Sequence, residues 1–298
     1  MTDEFDKTLP PRRQEEAKRK QEEAERQKMK AVFKKVAIFL LIGVSVFGVF
    51  YSVYEKAEER RLAEEMERLA AATASRIDLG NGVKLEMVKI KAGTFMMGSP
   101  EGELGREYDE KQHRVTLTQD YWLGKFEVTQ AQYEAITGKN PSYYKGSNRP
   151  VRVSWYDAKA FCDKLNERYA GKLPRGYKFD LPTEAQWEYA CRAGTTTALN
   201  NGTNLTSKDG KCYNNVEEWC RGRYGSYSGD TTDPVGASDG YYRVGRGGGW
   251  IDSRARRCRS ARRGDYGPQC RRSASHICYD SSCSHYFLGF RLALVPIQ

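Results

Sequence analysis

The longest apolar stretch of the chain is VAIFLLIGVSVFGVFYSVY, nineteen residues from Val36 to Tyr54 without a charge. At about 1.5 Å of rise per residue, such a helix spans roughly 30 Å, the thickness of a bilayer's hydrocarbon core. A cleaved leader fits poorly, because the run begins late, is too long and meets no small-x-small site at its end. A buried core helix would carry polar positions on one side. The pattern therefore predicts one transmembrane helix over 36–54. Ahead of it lies a charged tail, 1–35, in which QEEAKRK is followed at once by QEEAERQ. This seven-residue echo within 12–30 sets Glu against Lys or Arg at helical spacing, as in a solvated helix. A docking helix for a cytosolic partner is the sharper reading. Residues 55–80 read as a helical stalk, with Leu62, Met66 and Leu69 on one face.

A second pattern takes over near Val83. VKLEMVKI alternates like a strand, and AGTFMMGS then breaks the alternation with Gly and Ser. Three helices are announced by their caps: Thr129 with Gln132, Ser154 with Asp157, and Thr183 with Gln186. In the second of these, Ala158, Phe161, Cys162 and Leu165 share a face. After Gly194 the chain is rich in Gly, Asn, Ser and Tyr and predicts loops with short strands. Few helices and isolated strands imply an irregular α+β domain over 83–298.

Charge sets the orientation. Residues 1–35 hold eleven Lys/Arg and eight Asp/Glu, and Arg26, Lys28, Lys30, Lys34 and Lys35 crowd the start of the apolar run. Beyond its end, Lys56, Arg60 and Arg61 are diluted by Glu55, Glu58 and Glu59. The bias puts the N-terminus in the cytoplasm and the domain outside it. Eight cysteines suit that oxidising side.

Several blocks occur in a distinctive order: FMMGSPEGE (95–103), HRVTL (113–117), FEVTQAQYEAITG (126–138), PVRVSWYDAKAFC (150–162), LPTEAQWEYACRAG (181–194), VEEWC (216–220), RGGGW (246–250) and GFRLA (289–293). From about residue 85 onward the chain thereby resembles the formylglycine-generating, or sulfatase-modifying factor, family. The resemblance implies a variant of the C-type-lectin fold. It also implies copper-dependent oxidation of a client cysteine by two enzyme cysteines, since soft thiolates bind Cu(I). At the positions that correspond to that pair this chain has Asp252 and Arg257, and a one-residue gap brings Cys258 only to the second. Cys278 and Cys283 have the right mutual spacing but lie too close to the terminal GFR block. The chain is thus expected not to be an enzyme. The family's calcium site would fall on Glu218 and the carbonyls of Asn214 and Val216, although Tyr213 stands where an asparagine is usual. A hard cation needs six or more oxygens, so Glu218 as a hydrogen-bonding anchor is the competing reading.

The last forty-eight residues contain no Lys, Glu, Met or Trp, and hold nine Arg, seven Ser and four Cys. At the usage of the first 250 residues, about nine Lys plus Glu would be expected. Lys, Glu, Met, Trp and Gln are the residues that no codon ending in C encodes. The tail therefore resembles the variable proteins of diversity-generating retroelements, in which asparagine codons are randomised at adenine. On that reading the variable region is 251–287. Its diversified, ligand-binding positions are Ile251, Asp252, Ser253, Arg257, Arg262, Asp265, Tyr266, His276, Tyr279, Asp280, His285 and Tyr286, with Gly264, Gly267, Ile277 and Cys278 also variable. Residues 255–261 apart from Arg257, Arg263 and 288–294 are framework, and Trp250, Ala261, Leu288, Phe290 and Leu292 should be buried. Tyr, Arg, Asp, His and Ser suit adaptable recognition. Zinc on His276, Cys278, Cys283 and His285 is a weaker alternative to a disulfide.

The expectation is a single-pass membrane protein displaying a non-catalytic surface to an extracytoplasmic protein or glycan. No nucleic acid is expected, because no aromatic-basic stacking motif accompanies the arginines. An envelope scaffold and a formylglycine-generating oxidase are the alternatives.

Overall fold

Pro11 opens the first helix, α1 (Pro11–Ser75), at the position where its missing N–H costs nothing. The computed structural model describes residues 11–202, 216–248, 255–269 and 288–297, with the side chains of 11–14, 17, 39–46 and 255 outside the description. The chain divides into two compact units, Met1–Met66 and Glu67–Gln298. In the first, α1 carries the charged repeat and the apolar run as one helix. The described side chains of that run, among them Val36, Ile38, Phe47, Phe50 and Val53, are exposed. Among the described residues no helix is long and apolar enough to cross a membrane, and the centre of the run, 39–46, lies outside the described side chains.

The second unit begins earlier than Val83. Strand β1 (Arg76–Gly80) pairs antiparallel with β2 (Val83–Ile90), so RIDLG is sheet rather than stalk. The joining turn uses Gly80, Asn81 and Gly82 at φ of 89°, 52° and 76°, values that glycine and asparagine tolerate best. Ala74, Ile77 and Leu79 already belong to the core.

The remaining strands are β3 (Gly93–Met97), β4 (His113–Leu117), β5 (Tyr121–Gly124), β6 (Tyr177–Asp180), β7 (Glu217–Arg223), β8 (Thr231–Thr232), β9 (Arg243–Arg246), β10 (Arg263–Tyr266), β11 (Leu288–Gly289) and β12 (Ala293–Pro296). They form a five-stranded sheet in the order β1-β2-β5-β12-β6, a four-stranded sheet β10-β9-β7-β11 and a three-stranded sheet β3-β4-β8. Because β12 lies between β5 and β6, the C-terminus closes the domain against strands from its first half.

Three helices pack on this frame: α2 (Gln130–Thr137), α3 (Trp155–Arg168) and α4 (Glu184–Arg192). Each begins at a reciprocal capping box, on Thr129, Ser154 and Thr183 as the sequence predicts. Gly138 ends α2 in the left-handed conformation at φ 72°. Phe161 and Leu165 of α3 join Trp219, Phe290 and Leu292 in the main core. The architecture is α+β.

Candidate functional site

The framework around 251–287 is held by buried guanidinium–carboxylate pairs. Arg246 of β9 donates from Nη2 to Glu188 of α4 at 2.5 Å. Its Nε lies 3.1 Å from Glu184 Oε1 but off the hydrogen-bond axis, so that contact is ionic only. Arg263 of β10 grips both oxygens of Glu184 at 2.6 and 3.0 Å and lies 4.6 and 4.0 Å from the ring centres of Tyr224 and Tyr227. Arg259 grips both oxygens of Glu110 at 2.6 Å and reaches Glu103 at 2.9 Å. Arg262 pairs with Glu217, and Arg291 clamps Glu218 at 2.9 Å on each oxygen.

Planar guanidinium forks match carboxylates, which suits Arg rather than Lys to this role. Burial pushes the Glu184 carboxyl up, but Arg263 and Arg246 more than offset it, and its pKa falls below the usual value. The same balance, with Arg259 opposing burial, lowers Glu110. Removing one partner of such a pair leaves a buried charge uncompensated and costs about 3–5 kcal/mol.

These clamps lie before, within and after the 251–287 region that the sequence marks as variable. Arg246 precedes it, Arg259, Arg262 and Arg263 fall inside it, and Arg291 follows it. The backbone flanking 270–287 is anchored at neighbouring points: Trp155 N donates to Pro268 O at 3.0 Å and Val153 N to Leu288 O at 3.1 Å. The expected framework residues Ala261, Leu288, Phe290 and Leu292 are buried.

Of the proposed surface positions, Arg257 and Asp265 are exposed. Arg262 and Tyr266 are not: they are 8% and 4% exposed. This corrects the sequence reading. Tyr266 packs edge-on against Trp219 at 6.0 Å, and β10 alternation turns Asp265 outward between two inward residues. Gly264 and Gly267 are also buried, and a Cβ on Gly264 would meet the Tyr266 ring at 2.5 Å. Ile251, Asp252, Ser253, His276, Ile277, Cys278, Tyr279, Asp280, Cys283, His285 and Tyr286 lie outside the described residues, as do Trp250 and Asn214.

Glu218 is buried, and it accepts from Trp187 Nε1 at 2.8 Å as well as from Arg291. A guanidinium already neutralises this carboxylate, so the described donors do not fit a calcium ion. They fit the anchor reading. Beside it, Glu127 accepts from Val216 N at 2.9 Å. Burial, with the charge of Glu218 adding to it, raises the Glu127 carboxyl to about 8. In another carboxylate cluster, Glu107, Asp109 and Glu110, Glu110 is the counter-charge of Arg259 and Asp109 lies 3.8 Å from Arg263.

The cysteines divide by environment. Cys162 and Cys220 are fully buried free thiols, and burial drives both pKa values well up, so neither is a reactive thiolate. Cys191 is free, and its Sγ lies 3.7 Å from Ser260 Oγ. Cys258 is disulfide-bonded, with its partner outside the described residues.

Sequence reasoning missed the acidic half of the lattice. A signal existed: Glu184 and Glu188 sit four apart on the buried face of α4, where an unpaired acid is not tolerated.

The family described as the sulfatase-modifying factor enzyme 1-like domain matches residues 80–214. Chaperone protein LppX of Paenibacillus barcinonensis is 26% identical over 239 residues, covering 56% of this chain and 79% of that protein. The formylglycine-generating enzyme of Mus musculus is 34% identical over 117 residues, 39% of this chain but only 27% of the enzyme. Among solved structures, Treponema denticola variable protein 1 aligns with a TM-score of 0.57 at 26% identity, over 74% of this chain and 98% of that one. The chain resembles the formylglycine-generating family in sequence and a variable protein in fold.

Proposed function

We propose that this chain is a membrane-anchored, non-catalytic binding protein whose 251–287 segment is a diversified ligand surface on a formylglycine-generating-type lectin fold. One observation carries the reading. Arginine clamps, buried except for the half-buried Arg291, hold the backbone before, within and after 251–287, and their carboxylate partners all come from outside it. Such a frame is built to keep its stability when the variable positions outside it change. The absence of Lys, Glu, Met and Trp from the last forty-eight residues supplies the genetic counterpart. Similarity to a variable protein supports the same reading.

Anchoring rests on the uncharged 36–54 run and its exposed apolar side chains on α1. A helix apolar on every side is at home in lipid. A disulfide at Cys258 agrees with an extracytoplasmic domain. Similarity to the mouse enzyme favours the oxidase alternative. Against that alternative stand Asp252 and Arg257 in place of the cysteine pair and the engagement of Cys258 in a disulfide.

The test is saturation substitution of the displayed protein, scored for folding. Positions 251–253, 265 and 276–286 should accept most residues, whereas Arg246, Arg259 and Arg263 accept almost none. Intolerance at 276–286 equal to that at Arg246 would make the segment core, and the diversified surface would be abandoned.

A further inference from the structure

Arg223 and Arg243 break the pattern of the other arginines in the four-stranded sheet. Among the described residues neither has a carboxylate partner. Arg243 donates from Nη1 to Arg221 O at 3.1 Å, and its Nε is buried without an acceptor. Its guanidinium lies 3.9 Å above the Trp155 ring. Arg223 donates to Gly240 O at 2.6 Å and is otherwise exposed. Burial, and after it the charge of Arg223, lowers the pKa of Arg243, so that among the described residues two cations share this corner with no carboxylate paired to either.

Aromatic rings surround them. Tyr156 stands edge-on to Trp155 at 5.6 Å, and Tyr241 to Tyr242 at 5.4 Å. Tyr156, Tyr241 and Tyr242 are 57%, 58% and 48% exposed. Hydrogen bonds tie the corner together: the Trp155 indole Nε1 donates to Cys220 O, and Tyr224 N to Tyr242 O, both at 2.9 Å. The surface reaches Gln269 within the proposed variable region, since Tyr241 OH donates to Gln269 Oε1 at 2.6 Å.

We infer that Trp155, Tyr156, Tyr241, Tyr242, Arg223 and Arg243 form a fixed binding site for an acidic saccharide, beside the proposed variable segment and built from residues outside it. Exposed flat rings offer faces for the apolar side of a sugar ring. A guanidinium stacked on indole is held in place; with Nη1 on Arg221 O and Nε buried, Nη2 of Arg243 is left for a carboxylate or sulfate. Neutral sugar recognition needs no unpaired cations, and two uncompensated guanidiniums would repel a basic ligand. The site does not depend on 251–287 being diversified.

Binding of the full chain, in detergent, to oligogalacturonate, a heparin oligosaccharide, neutral dextran and polyglutamate tests the inference. Saturable binding of either acidic saccharide is expected, with none of dextran. Arg243→Gln, and separately Tyr241→Ser with Tyr242→Ser, should weaken it at least tenfold at an unchanged melting temperature. Should Arg243→Gln disturb folding, the exposed Tyr241, Tyr242 and Tyr156 variants decide the question. Failure of both acidic saccharides to bind, equal binding of dextran, or indifference to these substitutions overturns the site. Equal competition by polyglutamate would assign the surface to acidic peptides instead. None of the substituted residues lies in 251–287, and Tyr156→Ser and Arg243→Gln leave the Tyr241–Gln269 hydrogen bond in place, so failure here leaves the diversified surface standing on its own test.

Discussion

Glu127 shows how one buried side chain writes a pH dependence into the fold. Burial raises its carboxyl to about 8, with Glu218 repelling the ionised form and Arg291 only partly relieving it. In the unfolded chain the same group titrates near an ordinary glutamate value of about 4.3. Between those values the folded state keeps a proton that the unfolded state has released, so stability falls as pH rises from about 5 to 8. Glu127→Gln retains an acceptor for Val216 N–H and removes the titration. Melting temperatures of variant and parent should coincide near pH 4.5, with the variant higher at pH 8. Parallel profiles across that range would mean that Glu127 is ionised in the native protein. Glu127 was legible as part of the FEVTQ block, but its environment was not. The proton depends first on burial and then on Glu218, which is distant in sequence.

β10 separates what alternation predicts from what composition suggests. Arg262, Asp265 and Tyr266 look alike as products of a randomised codon, yet Asp265 points outward and Tyr266 packs on Trp219. Tyr266→Ala should cost about 3–5 kcal/mol in a denaturant titration, as core aromatic truncations do. Asp265→Ser should stay within about 0.5 kcal/mol. If the two cost the same, the strand's inward and outward faces are misassigned. The helices were easier to read. Their capping boxes are local, needing only residues three apart, and all three appear where the sequence puts them. β1, β3, β4, β5 and β6 were missed, because four or five residues carry too little alternation until neighbouring strands supply their hydrogen bonds.

At the scale of the whole molecule, orientation is the open prediction. With the Lys/Arg-rich flank inside, protease added to intact cells or spheroplasts should digest the region after residue 55. Digestion only after lysis would reverse the topology. The apolar run, the three helix starts, the block order behind the family resemblance and the altered composition of the tail were all determined by the sequence alone. Each is a property of neighbours in the chain or of residue counts. The pairing of Arg246 with Glu188, Arg259 with Glu110 and Arg263 with Glu184 was decided only by the tertiary structure. So were the burial of Tyr266 and the placement of Arg243 on an indole, its Nε without an acceptor. An arginine in a sequence reads the same whether it faces water, a carboxylate or an indole. What distinguishes these cases is which distant segment closes over it, and that follows from sheet order and packing rather than from local pattern.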